Sequence, residues 1–269
     1  MEAAKSIKHP LRFKPVKQLK RRRLCRPYVI INCAMSADGK IAMPSRKQTR
    51  ISSEEDIARV HRLRNSCDAI LVGIGTVLSD DPKLTVKPKH LAPGETARKP
   101  LRVILDSNCR IPDCALVLNC EAPTLVFCAK GKKREIKGAE VEECGSGNGS
   151  VGIRVSGFGS RDSRIADEDE VCLAKVLSSL ARRGVRRLMV EGGETVTWSF
   201  LRHGFFDEFN VYVGSMVIGG KGPTPAGGEG AALEKEIIKL NLLSMEMVGN
   251  GVLLRYVKKG AEAGAQLPQ

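Results

Sequence analysis

The chain has 269 residues, 42% hydrophobic and 28% charged, a composition that suits one large globular domain or two small ones. No apolar run approaches the roughly 18 residues of a membrane helix, and no apolar stretch follows the basic N-terminus to make a secretory signal. The net charge of +14 invites a nucleic-acid reading, but residues 1–26 carry ten Lys and Arg against Glu2 alone, so +9 of the surplus sits in a tail. That tail is expected to be disordered and to bind RNA or acidic surfaces only weakly.

Nine cysteines show no C-x-x-C pair, and four scattered histidines show no zinc spacing. Reduced thiols in a cytoplasmic protein, with no metal site, are the expectation. Aromatics make up only 4% of the chain, so the core must come from Val, Ile, Leu and Met.

In chain order, Pro27 to Met35 reads as a buried strand. A polar loop with Asp38-Gly39 follows. Ser52 or Ser53 caps a helix that runs to about Asn65, with Glu54, Glu55 and Asp56 in its first turn and Ile57, Val60 and Leu63 on one side. Asp68 to Val72 is a second strand, entering Gly73-Ile74-Gly75-Thr76 and a helical turn from Val77 to Asp80. Leu101 to Leu105 is a third strand, ending at Asp106-Ser107. Thr124 to Cys128 is a fourth, ending in Lys130-Gly131-Lys132-Lys133. A Gly- and Ser-rich stretch, roughly 144–167, reads as flexible surface. Glu170 to Arg183 is a helix whose apolar face is Leu173, Val176, Leu177 and Leu180. Leu188 to Glu191 is the fifth strand and 195–204 the next helix. Glu208 to Val217 is a strand, 219–230 a Gly-Pro loop, and Leu240 to Met247 with Val252 to Val257 a hairpin across Gly249-Asn250-Gly251. Strands alternating with helices predict an α/β fold, a mostly parallel central sheet flanked by helices with an antiparallel C-terminal hairpin.

The most informative stretch is Val190-Glu191-Gly192-Gly193-Glu194-Thr195. A strand ending in a double glycine at the mouth of a helix is either a tight turn or a phosphate cradle, because glycine lets a ligand approach the main chain and the first helical N–H groups favour an anion. A second glycine turn stands at Gly73-Ile74-Gly75-Thr76. Parallel sheets bind ligands at the carboxyl ends of their strands, and two glycine turns with a basic strand-end loop suggest a dinucleotide. The usual G-x-G-x-x-G fingerprint and the G-x-x-x-x-G-K-[ST] loop are both absent, which excludes a standard Rossmann domain and a P-loop.

Several runs recur together: Ser36-Ala37-Asp38-Gly39-Lys40-Ile41-Ala42, Val72 through Val86 with its G-T-V-L-S-D-D-P-K-L-T-V core, Arg102 through Ser107, the double-glycine stretch, and Val211-Tyr212-Val213 through Gly220. In this order they resemble the riboflavin-biosynthesis pyrimidine reductases, which have a dihydrofolate-reductase-like fold. The resemblance covers 27–258 and implies one reductase domain there, a flexible tail at 259–269 and a homodimer. It implies reduction of a ribosylamino-pyrimidinone 5′-phosphate to its ribityl form by NADPH, with NADH also possible. H-x-E and P-C-x-x-C deaminase motifs are absent, so the chain is similar to the stand-alone archaeal or fungal type. That type acts on the 2,5-diamino substrate, with the deaminated substrate as the alternative.

By this resemblance Ala34, Arg50, Thr76, Asp80 and Ser107 fall at cofactor positions, as do Gly192 and the span from Gly193 through Ser199, with Gly193, Glu194, Thr195 and Val196 at its head. Gln48, Arg64, Leu84, Lys87 and Glu191 fall at substrate positions, although Gln48 and Lys87 differ in type from the bacterial pattern. Arg64 and Lys87 are candidate phosphate clamps or solvated cations. Asp38 and Glu191 are candidate proton donors or orienting carboxylates, and Asp38 also reads as a simple turn residue. Asp80 would touch the cofactor or brace its own turn. Lys130, Lys132 and Ser107 are candidate partners for the extra phosphate of NADPH. The rival reading, an RNA-binding protein working through its basic tail, lacks the clustered aromatics such modules use to stack bases.

Overall fold

The computed structural model describes residues 26–46, 49–145, the backbone of 152–153, 170–228 and 230–259. Its centre is a nine-stranded sheet. In chain order the strands are β1 (Tyr28–Ser36), β2 (Ala69–Gly73), β3 (Leu101–Leu105), β4 (Thr124–Cys128) and β5 (Glu140–Glu143), and then β8 (Arg187–Val190), β9 (Glu208–Gly214), β10 (Leu240–Val248) and β11 (Gly251–Lys258). Between β5 and β8 in the chain, β6 (Gly152–Ile153) and β7 (Val171–Cys172) form a separate two-stranded ribbon. The spatial order is β10-β11-β9-β1-β8-β2-β3-β4-β5. All neighbours are parallel except β11, which runs antiparallel to both β9 and β10.

Among the described residues, four α-helices cover the sheet: α1 (Glu54–Asn65), α2 (Ile74–Asp80), α3 (Leu173–Arg182) and α4 (Glu194–Arg202). Strand alternation sorts the core into faces. Val29, Ile31, Leu71, Val103 and Phe127 pack with Leu173, Val176, Leu177 and Leu180 of α3 and with Val196, Phe200 and Leu201 of α4. The intervening residues Ile70, Val72, Ile104 and Val126 pack with Val77 of α2, while Ile30 and Met189 meet Val60 and Leu63 of α1.

Of the two serines expected to cap α1, Ser53 does so, its hydroxyl accepting the Asp56 N–H at 3.2 Å. Several other elements differ from the expectations above. The residues that α1 buries most deeply are polar, Asp56, His61 and Asn65, and each meets a polar partner: Arg59, the Lys87 N–H, and Glu95 with the Arg98 N–H. The second helix begins at Ile74, so Gly75 and Thr76 lie inside it, and Gly73 is an extended cap rather than a left-handed turn. Strand β5 was not expected. Its sequence, EVEE, has one buried apolar residue, Val141, and acidic side chains that suit an edge strand; Glu140 and Glu142 both pair with Arg183. The helix expected from Glu170 starts at Leu173, since Val171 and Cys172 pair with β6.

The expected flexible stretch at 144–167 lies largely outside the described residues, as do residues 1–25 and 260–269 of the two tails. Arg26, expected to end the basic tail, instead grips Asp207 through two hydrogen bonds of 2.6 and 2.8 Å. Lys259 donates its N–H to Lys239 at 3.2 Å.

Phe200 is fully buried and joins α4 to the sheet beneath the double-glycine turn. Phe200→Ala is expected to lower unfolding free energy by about 3–5 kcal/mol in urea titrations followed by circular dichroism.

Candidate functional site

β8 lies between β1 and β2, so the turn after β8 opens beside the turns after both neighbours. Glu191 donates its N–H to Leu71 O at 2.9 Å, which extends the pairing with β2 to the strand end. Gly192 and Gly193 then take φ of 155° and 78°, values that a side chain resists, and Gly193 caps α4. A Cβ on Gly192 would stand 3.3 Å from Thr76 Oγ1, and one on Gly193 would stand 3.4 Å from it. The two glycine-containing turns therefore share one cleft, with the Thr76 hydroxyl on α2 facing the bare backbone at the mouth of α4.

Around this cradle the other candidate cofactor residues take different stations. Ser107 follows β3, and its hydroxyl is buried without a hydrogen-bond partner. Asp106 beside it accepts the Ile111 N–H at 2.8 Å through one oxygen, while its second oxygen is buried and unpartnered. Ala34 lies on β1, in register with Tyr212. The Val196 side chain is in the core, so only its backbone faces the turn. Ser199 is tied to Thr195 O at 2.9 Å. Glu194 is held outward by Arg46 at 2.8 Å and lies under Gly227, whose N–H it accepts through its carbonyl at 3.2 Å. Asp80 does not brace the end of α2: Asp81 takes the left-handed cap position and accepts the Leu116 N–H at 2.8 Å. Arg50 is exposed and paired with Glu54 at the start of α1. Lys130, Lys132 and Lys133 are exposed on their loop.

A nicotinamide dinucleotide suits this donor set. The unpartnered Ser107 hydroxyl and the side-chain-free cradle below Thr76 are features that a phosphate or ribose oxygen satisfies.

The candidate substrate residues gather on the α1 side. Arg64 donates from Nε and one terminal nitrogen to the two oxygens of Glu191, at 2.6 and 2.5 Å, and from its other terminal nitrogen to Thr85 O at 3.0 Å. The pair is largely buried, with side-chain exposures of 17% and 11%. Burial alone would pull the guanidinium pKa down; the charge and hydrogen bonds of Glu191 more than offset this and raise it. Three of the five N–H donors of Arg64 thus hold the protein itself. Leu84 is buried with φ of 50°, a conformation that strains a branched side chain. Lys87 has an exposed side chain, and its N–H is accepted by His61 Nδ1 at 3.2 Å. Gln48 lies outside the described residues.

Asp38 is exposed, but its carboxylate accepts hydrogen bonds from Ser36 Oγ at 2.6 Å, Ile218 N–H at 3.0 Å and Gly219 N–H at 2.8 Å. The Ser36 hydrogen bond first, and then the backbone donors, bring its pKa down to about 2. This carboxylate ties the loop after β1 to the loop after β9 and holds no proton to donate at neutral pH. Sequence reasoning passed over His61, Thr85 and Arg46. The spacing of His61 from Arg64, three residues along one helix, was the available signal.

Removing one partner of the buried Arg64–Glu191 pair leaves an uncompensated charge. Glu191→Gln is expected to cost about 3–5 kcal/mol of stability, measured by urea unfolding.

Among the described residues, no helix is long and apolar enough to cross a membrane, and no group of three or more His, Cys, Asp or Glu is placed to hold a metal. The RibD C-terminal domain family matches residues 27–254. The chain is 44% identical to the 2,5-diamino-6-ribosylamino-4(3H)-pyrimidinone 5′-phosphate reductase of Archaeoglobus fulgidus, over 84% of this chain and 95% of that protein. It is 39% identical to the reductase of the same name from Methanothermobacter thermautotrophicus, over 87% of this chain and all of the relative. Among solved structures, Acinetobacter baumannii RibD superposes with a TM-score of 0.69 at 23% identity, covering 87% of this chain and 58% of that one. A riboflavin biosynthesis reductase from Saccharomyces cerevisiae gives 0.62 at 22% identity, over 90% and 93%. These likenesses carry the dihydrofolate-reductase-like fold, and the match across residues 27–254 places the chain in the RibD C-terminal domain family of riboflavin-biosynthesis reductases.

Proposed function

We propose that the chain reduces 2,5-diamino-6-ribosylamino-4(3H)-pyrimidinone 5′-phosphate to its ribitylamino form, with NADPH as the reductant. Two archaeal relatives carry that reaction in their names and align over nearly their whole lengths. The observation that carries the reading is the single cleft in which the Thr76 hydroxyl faces Gly192 and Gly193, directly after the ion-paired Glu191.

The nucleotide would lie along Thr76, Ser107 and the first turn of α4, and the chemistry it supplies there is a hydride for the anomeric carbon of the opened sugar. The protein contributes placement. Gly193 leaves the first N–H groups of α4 open to a phosphate, and Arg64 fixes the rotamer of Glu191 from two directions. Both Glu191 oxygens then stand as oriented acceptors for substrate donors. Lys87 offers its ammonium to the 5′-phosphate, while Arg64, with most of its donors committed, acts chiefly through Glu191. Orientation of this kind is worth about 7–11 kcal/mol of a bimolecular barrier. Ser107 and the lysines after β4 are the proposed partners of the 2′-phosphate that sets NADPH apart from NADH.

Purified protein with NADPH and the diamino substrate is expected to consume nicotinamide absorbance, and to bind NADPH about tenfold or more tightly than NADH, a difference of about 1.4 kcal/mol. Turnover of the deaminated substrate alone would transfer the reaction to the later intermediate.

We also propose a homodimer in the cytoplasm. The eight cysteines among the described residues are free thiols, as a reducing compartment requires. The edge strand β10 leaves Leu242, Leu243, Met245 and Met247 exposed, a long apolar edge of the kind proteins cover. Sedimentation is expected to give a dimer, and Met245→Glu to shift it toward monomer.

A further inference from the structure

The stretch 84–90 carries Leu84 and Lys87 and ends in one 3-10 turn, Pro88–His90, whose cap is Lys87. Two side chains of α1, three residues apart, hold it. Arg64 donates to Thr85 O at 3.0 Å, and His61 Nδ1 accepts the N–H of Lys87 at 3.2 Å. The His61 ring also stacks on His90, with centroids 4.7 Å apart and planes 7° from parallel. His61 therefore touches both ends of the turn while remaining 5% exposed itself. A ring that accepts at Nδ1 carries its proton on Nε2. Burial first, then the charges of Arg64, His90, Lys87 and Lys89, press its pKa down to about 4, so the acceptor persists through the neutral range.

We propose that His61 is a positioning residue, fixing through the Lys87 backbone the point from which the Lys87 ammonium meets the substrate phosphate. The proposal rests on the reading of Lys87 given above, and it adds a residue whose part is to hold rather than to touch the substrate. A side chain as flexible as lysine aims well only when its backbone is fixed. Here an exposed cation is mounted on a turn that a buried ring clasps at two places.

Three variants of the full chain separate this role from simple packing. His61→Phe keeps the ring and loses the acceptor. His61→Asn sets an amide oxygen near the Nδ1 position, whereas His61→Gln reaches toward Nε2. Amide exchange of the peptide spanning 84–90, read by mass spectrometry, is expected to quicken about 3–10-fold in the Phe and Gln variants and to stay near wild type in Asn. With the diamino substrate, KM should rise by a similar factor in Phe and Gln while kcat and NADPH affinity hold. Unchanged exchange in His61→Phe overturns the proposal, as does an Asn variant no better than Gln, or a fall in kcat at constant KM. Absence of turnover in the wild-type protein would strike the proposed function instead, and the exchange measurement would still decide whether His61 holds the turn.

Discussion

The buried ion pair between Arg64 and Glu191 is the constraint around which this site is organised. Taking a guanidinium and a carboxylate out of water costs several kcal/mol each, and only close, well-aligned pairing offsets it. The pairing here is two-pronged, at 2.6 and 2.5 Å, and the guanidinium has a further hold on Thr85 O. One interaction thus joins the end of α1, the end of β8 and the segment that carries Leu84 and Lys87. Stability alone does not account for such a pair, because apolar residues of like volume would do as well or better. Its product is a fixed direction for a carboxylate at the mouth of a sheet.

Topology makes that meeting possible. Arg64 and Glu191 are 127 residues apart and come together because β8 enters between β1 and β2. Each parallel neighbour needs a crossover that returns the chain to the same edge, so successive strand ends gather on one rim. From β2 the rim receives Thr76 on α2; from β3 it receives Ser107; from β8 it receives Glu191 and the double glycine. The rim is polar for the same reason. It lies past the last paired residues, where backbone groups and hydroxyls such as Ser107 Oγ have no ladder partner and stay available to a ligand.

How much of this could be read beforehand follows from the kind of signal each element emits. The central strands are continuous apolar runs, and the α3 face, Leu173, Val176, Leu177 and Leu180, repeats at helical steps and is buried throughout. Such patterns are local and strong. β5 emits neither, because an edge strand of mostly acidic residues is held by its neighbour's backbone and by Arg183 rather than by burial. The burial of Asp56, His61 and Asn65 on α1 was equally hidden: polar residues go inside only when their partners arrive, and these come from Arg59, the Lys87 backbone and Glu95 with Arg98. The double glycine was legible as a special turn, since few other sequences tolerate φ of 155° followed by 78°. That the Thr76 hydroxyl would face it depends on how far α2 extends: the helix begins at Ile74, three residues before the expected Val77, and so takes in Thr76.

The same geometry bears on how a proton is managed during reduction. Two carboxyl groups stood as candidates. Asp38 accepts three hydrogen bonds and is held strongly acidic, which fits it to fasten two loops together. Glu191 has both oxygens turned to a guanidinium, an arrangement that calls for acceptors rather than a donor. His61, the nearest imidazole on α1, has its Nδ1 occupied by a backbone N–H and its ring covered by His90. Among the described residues around the cleft, then, the ionisable side chains are arranged to fix positions. A reaction driven by hydride delivery needs little else from the protein: the reacting carbon must be brought close to the donor and aligned with it, and the proton that balances the nitrogen can come from water or from the hydroxyls of the sugar. On the proposed reading, the pairings at the rim, from Arg64 with Glu191 to Asp38 with its loops, serve such catalysis by placement.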